Sequence, residues 1–128
     1  MSVNDDHALE TYKSLISFST AALKALQLLN GGAIVALLAY LGQAKLPHST
    51  QSIFAPLIFF VVGLSLGTLC FLGAYLTQFT LFNESVRRAA NSGRTHMFWL
   101  WCTVIIAGLS LAAFVAGAVS GVYALTSA

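Results

Sequence analysis

"IFAPLIFFVVGLSLGTLCFLGAYLTQFTLF", Ile53 to Phe82, runs for thirty residues without one charged side chain. A membrane-spanning helix needs about 20 apolar residues, and a lone strand would leave its backbone groups unpaired in lipid. The stretch therefore reads as a membrane helix. Two more apolar segments flank it, from about Ala25 to Leu41 and from about Met97 to Leu125. Composition agrees, because 58% of the 128 residues are hydrophobic and 8% are charged. A soluble protein has about a quarter charged residues, and so few charges could not cover a soluble surface of this size. The expected class is all-α, a single membrane domain over residues 1–128 with three transmembrane helices at about 25–45, 53–82 and 97–125. The small positive net charge is far from the dense basic face that nucleic-acid binding needs, so no nucleic-acid partner is expected.

The connections are short and polar. "GQAKLPHSTQS", Gly42 to Ser52, carries one lysine, Lys45. "NESVRRAANSGRTH", Asn83 to His96, carries Arg87, Arg88 and Arg94 around an Asn91-Ser92-Gly93 turn signal. The positive-inside rule puts the arginine connection in the cytoplasm, so the N-terminus is expected inside and the C-terminus outside. Topology is the expected role of the three arginines. Docking on anionic lipid, at about 1 kcal/mol per basic residue, is the alternative. The N-terminal "MSVNDDHALETYK" is acidic where a signal peptide would be basic, so the whole chain is expected in the mature protein. Trp99 and Trp101 open the third segment and read as an interfacial belt.

Thirty helical residues extend about 45 Å, whereas the hydrocarbon core is about 30 Å thick. The end of the second segment, from about Ala74 to Phe82, is thus expected to protrude on the inner side unless strong tilt absorbs the excess. Residues 5–24 read as an amphipathic helix with Leu9, Tyr12, Ile16 and Leu23 on its apolar face. Asn4, Asp5 and Asp6 are suited to a helix start. No Gly or Pro interrupts Ser2 to Asn30, which favours a straight continuation of the first span over a helix lying flat on the membrane. The first two helices are expected to extend together into the cytoplasm, with the amphipathic face covering "YLTQFTLF".

Lys13, Ser17, Thr20, Lys24 and Gln27 follow at steps of four, three, four and three, which places them on one helix face beside Asn30. Two readings stay open. Gln27 and Asn30 bond to a neighbouring helix, or Lys24, Gln27 and Asn30 line a water-filled path between copies. Gly31 and Gly32 would let backbones approach closely. Gly63 and Gly67 form a GxxxG on the second span, and Gly117 and Gly121 form another on the third. Small-residue faces on all three spans exceed what one three-helix bundle needs, and so point to self-association.

No enzymatic chemistry is legible. None of the acids Asp5, Asp6, Glu10 and Glu84 lies deep in a span, and His7 and His96 are expected on the opposite side from His48. No metal-ligand spacing, P-loop or nucleophile elbow occurs, so no cofactor or metal is expected. Cys70 and Cys102 lie in apolar runs and read as small hydrophobes. Ser65, Ser110 and Ser120 have no His or carboxylate at their depth and read as packing serines.

"LLNGGAIVALLAYLG" (Leu28–Gly42) and "FVVGLSLGTLCFLGAYLTQF" (Phe60–Phe79) resemble a group of small three-span bacterial inner-membrane proteins, matching at Asn30-Gly31-Gly32 and Tyr75-Leu76-Thr77-Gln78. The resemblance covers roughly Ala22 to Phe82. It implies a bacterial inner membrane and three helices, and brings no activity to carry over. The expected function is a non-enzymatic homo-oligomer in contact with membrane lipids, acting as a pore or membrane-perturbing effector. The alternative is an accessory or scaffold subunit that binds a second membrane protein.

Overall fold

A computed structural model of the chain describes residues 3–43, 50–87 and 93–126. They form three helices, α1 (Val3–Gln43), α2 (Thr50–Arg87) and α3 (Gly93–Thr126). No strand occurs among the described residues. Each helix is long and apolar enough to cross a membrane, over Leu9–Gln43, Ile53–Asn83 and His96–Ala124. The first apolar stretch starts well before residue 25, because leucines and aromatics continue down α1 past its two lysines. Arg87 closes α2 and Arg94 lies in the first turn of α3. Lys45, Pro47, His48 and Arg88 lie outside the described residues.

The local chemistry explains why the helices stay unbroken. α1 passes through residues 5–24 as one helix, as the lack of Gly and Pro there predicts. Hydroxyls inside the helices donate to carbonyls one turn back, which removes their polar cost in an apolar setting. Thr20 donates to Ile16 at 2.9 Å, Ser65 to Val61 at 2.9 Å and Thr77 to Gly73 at 2.9 Å. Pro56 sits in the second turn of α2, fully buried.

α2 is the centre of the fold. It packs most extensively on α3, less on α1, and α1 hardly meets α3. Ile53, Pro56, Phe60, Gly63, Gly67 and Cys70 are buried on α2 at alternating steps of three and four, the spacing of a knobs-into-holes seam. Large and small residues alternate across the seam between α2 and α3. A Cβ on Gly117 would stand 2.8 Å from Cε1 of Phe60, and one on Gly121 would stand 3.8 Å from Cβ of Pro56. Phe60 also meets Phe114 at a ring-centroid distance of 5.7 Å. Cys70 Sγ contacts the Thr103 carbonyl at 3.6 Å, and Thr103 Oγ1 occupies the space beside Gly73.

One expectation is corrected. α1 and α2 do not run together at the end that holds the N-terminus. α1 packs on α2 from Leu23 onward, but from Asp6 to Ala22 every residue whose side chain is described is exposed. Tyr75, Phe79 and Phe82 of α2 are also exposed, so the amphipathic face of α1 does not cover them. Helix periodicity states which residues share a face, but the divergence of two straight rods depends on how they cross.

Candidate functional site

Gln27, Asn30, Thr68 and Ser110 form one polar layer contributed by all three helices, and buried Thr77 lies at a separate level. Gln27 on α1 donates from Nε2 to Thr68 Oγ1 on α2 at 3.0 Å. Thr68 donates its own hydroxyl to the Leu64 carbonyl at 2.9 Å, which leaves its lone pairs free to accept from Gln27. Ser110 on α3 is fully buried and donates to the Gly63 carbonyl on α2 at 2.7 Å. A Cβ on Gly67 would stand 3.5 Å from Ser110 Oγ and 3.6 Å from Gln27 Cγ. Gly67 therefore lies between α1 and α3 with a polar side chain on either side.

Asn30 completes the layer and is its one unsatisfied member among the described residues. Its side chain is fully buried. Nδ2 donates to the Leu26 carbonyl of its own helix at 3.0 Å, and Oδ1 has no hydrogen-bond partner. The amide lies against the bare face of Gly63, where a Cβ would be 2.8 Å from Asn30 Cγ and 3.1 Å from Nδ2, with Oδ1 overlapping it. The Gly63 Cα–H is the group that faces Oδ1, a weak donor worth about 0.5–1 kcal/mol.

The level of this layer is informative. The midpoints of the three apolar stretches Leu9–Gln43, Ile53–Asn83 and His96–Ala124 are Leu26, Thr68 and Ser110. These midpoints coincide with the layer defined independently by the hydrogen bonds of Gln27, Thr68 and Ser110. Asn30 and Ser110, near the centre of these long apolar helices, are closed off inside the chain, whereas the Gln27–Thr68 pair lies at the exposed edge of the layer.

The sequence-derived site residues now divide. Gln27 and Asn30 face α2. Lys24 does not; it is exposed, as are Lys13, Ser17 and Thr20 on the same stripe. Gly63, Gly67, Gly117 and Gly121 all meet side chains of neighbouring helices of the same chain, and Gly31 meets Leu64 Cδ1 at a Cβ distance of 3.9 Å. Their small faces meet side chains within the bundle, whereas Gly32, like Gly42 and Gly108, has nothing within 4 Å. The side chains of Arg87, Arg88 and Arg94 are not described. Ser110 is a packing serine with a specific partner, and Thr68 and Thr103 join it as interhelical contacts that no sequence motif marks. Their signal would have been the three-and-four seam along α2, which runs through Gly63, Gly67 and Cys70.

The layer has no acid–base pair. Its hydroxyls are committed as donors to backbone carbonyls, an arrangement that fixes helices and leaves no oxygen primed as a nucleophile. Among the described residues no three of His, Cys, Asp and Glu stand close enough to share a metal ion. Comparison with protein-family models, with curated proteins and with solved structures finds no match.

Proposed function

We propose that this chain is a non-enzymatic subunit of a homo-oligomeric membrane assembly, and that α1 faces a path for water and anions between copies. The supporting observation is Lys24. Its side chain is exposed on the three-helix bundle, yet it lies only three residues from Gln27 in the central polar layer. Along a helix that is about 4.5 Å. The hydrocarbon extends about 15 Å to either side of its centre, so a snorkelling lysine at that depth still ends short of the head groups.

Sliding the bundle to free Lys24 is unfavourable. Bringing it to the hydrocarbon edge takes a shift of about 10 Å. The shift expels exposed Ile16, Phe18, Phe71, Leu72, Leu100, Val104 and Ile105 on one side and draws in Leu38, Phe54 and Val122 on the other. Tyr and Trp tolerate the interface and drop out of the comparison. Each large apolar group is worth about 1.5–3 kcal/mol, so a net loss of several exceeds the roughly 2.5–3.5 kcal/mol of a lysine at the centre. Lys24 therefore stays deep, and a polar surrounding for it has to come from outside the chain. A ring of copies would provide one, with Ser17 and Thr20 continuing the wetted stripe. A lysine ring favours anions.

The bacterial inner membrane and the N-in, C-out orientation belong to the same reading, from the sequence resemblance and the arginine-bearing connection. The test is reconstitution in nanodiscs and vesicles. Native mass spectrometry should give one closed oligomer, and vesicles should pass chloride in preference to sodium, with the preference lost in Lys24→Gln. A monomer, or a Lys24→Gln oligomer with unchanged selectivity, would refute it. A second reading rests on the same lysine: an acidic side chain of a different membrane protein could pair with it, making this chain an accessory subunit. Stoichiometric co-purification of such a partner from native membranes would favour that alternative.

A further inference from the structure

We infer that Leu28 forms the narrow, water-repelling point of the path proposed above, one helical turn outward from Lys24. This rests on the homo-oligomeric reading and names the residue that limits flow through the path. On a helix of 3.6 residues per turn, Lys13, Ser17 and Val35 lie within about 20° of Lys24 around the axis, and Thr20 and Leu28 within about 40°. One face of α1 therefore runs through Lys13, Ser17, Thr20, Lys24, Leu28 and Val35, and all six are exposed on the bundle. Its polar part stops at Lys24. Leu28 follows at once, and at 76% it is the most exposed large apolar side chain among the described residues. Leu28 and Lys24 share the face one turn apart, so whatever surrounds the lysine also surrounds the leucine. A polar path that receives Lys24 has to pass Leu28.

Bulk and depth single out the same residue. Beyond Leu28 the face is bare backbone: a Cβ on Gly31 would meet only Leu64 Cδ1, at 3.9 Å, and one on Gly32 would meet nothing within 4 Å. The path widens there, and the next large side chain on the face is Val35, 66% exposed. Val35 lies nine residues from Leu26, about 13.5 Å, and so stands close to the hydrocarbon edge at about 15 Å. Leu28 is two residues from Leu26, about 3 Å from the centre, where no head group helps to wet it. A ring of leucines at that depth, between a lysine entrance and a glycine-lined widening, is an apolar constriction of the kind that gates by dewetting. Lys24 collects anions on the inner side, and Leu28 sets how readily water and ions follow them through.

The test uses the full chain in vesicles and nanodiscs. Chloride flux is expected to rise in Leu28→Ser by about ten- to 150-fold, the factor that corresponds to taking one large apolar group out of contact with water, and to fall in Leu28→Phe. The preference for chloride over sodium should persist, because Lys24 is untouched. Leu29 lies at the same depth but about 100° further round the helix, and Leu29→Ser should change neither flux nor preference. Thiol labelling reads the same position without conductance, and decides if Leu28→Ser does not assemble. Only a thiolate reacts with a methanethiosulfonate, and a cysteine facing lipid forms none. In a Cys70→Ala, Cys102→Ala background, an anionic methanethiosulfonate should label Leu28→Cys and leave Leu29→Cys unlabelled. Unchanged flux in Leu28→Ser, or an unlabelled Leu28→Cys, in an oligomer that passes chloride would overturn the leucine constriction and leave the path standing. A monomer, or vesicles that pass no chloride in either the parent or Leu28→Ser, would remove both. Chloride passage in Leu28→Ser where the parent is shut would support the constriction.

Discussion

Replacing Gly63 by Ala tests the central layer most directly. The new methyl would meet Asn30 Cγ at 2.8 Å and Nδ2 at 3.1 Å, with Oδ1 overlapping it. Asn30 cannot simply swing away, because it is fully buried and its Nδ2 is held by the Leu26 carbonyl at 3.0 Å. Relief requires either rotating the amide, which loses that bond at about 0.5–1.5 kcal/mol, or pushing α1 off α2. Overpacking of this kind costs about 1–3 kcal/mol. That shifts the unfolding equilibrium by roughly five- to 150-fold, at 1.4 kcal/mol per factor of ten. The clash is with one side chain, so it must disappear when that side chain is shortened. Asn30→Ala together with Gly63→Ala should therefore be more stable than the sum of the single effects, by a coupling of about 0.5–3 kcal/mol. The assay is unfolding in mixed micelles by titrated dodecyl sulfate, followed by helical circular dichroism and by the fluorescence of Trp99 and Trp101. A Gly63→Ala protein as stable as the parent, or zero coupling to Asn30, would refute the packing described for the layer.

The other glycines grade by the room around them. Gly117→Ala drives a methyl to 2.8 and 2.9 Å from the Phe60 ring, itself buried, and should cost about 1–3 kcal/mol in the same titration. Gly67→Ala, at 3.5 Å or more from its neighbours, should change stability by less than Gly63→Ala; an equal loss would mean that α1 and α3 close more tightly around Gly67. Gly32→Ala faces open space and should leave monomer stability unchanged or raise it, up to about 1 kcal/mol from helix propensity. Ser110→Ala removes a buried interhelical donor, yet hydrogen bonds between membrane helices average about 0.6 kcal/mol with a maximum near 1.7. A measured loss well above that range would mean that Ser110 holds more than the Gly63 carbonyl.

Some of the site was legible before any fold was known. Asn30 and Gln27 are recognisable as residues that need a partner, because an amide among leucines carries its cost wherever it points. Gly63 and Gly67 are recognisable as places of close approach. The partners are not recognisable. The GxxxG on α2 suits a second copy as well as it suits Asn30, and nothing in the spacing of Ser110 says that its hydroxyl reaches Gly63. Lys24 shows the converse. By spacing it belongs with Gln27, but a shift of three residues along a helix turns it through about 60° short of a full turn, enough to leave it outside the seam.

The sequence by itself determined three membrane-crossing helices and the unbroken course of α1 through its amphipathic half. Hydropathy, and the absence of helix breakers before Asn30, are local properties that survive any packing arrangement. Only the tertiary structure decided that α2 is the centre, that its Gly63 receives Asn30 while its Phe60 lies against Gly117 of α3, and that α1 leaves α2 below Leu23. Periodicity states which residues share a face; it does not state which helix that face meets, or at what angle two rods cross. Those depend on side chains distant in sequence fitting together.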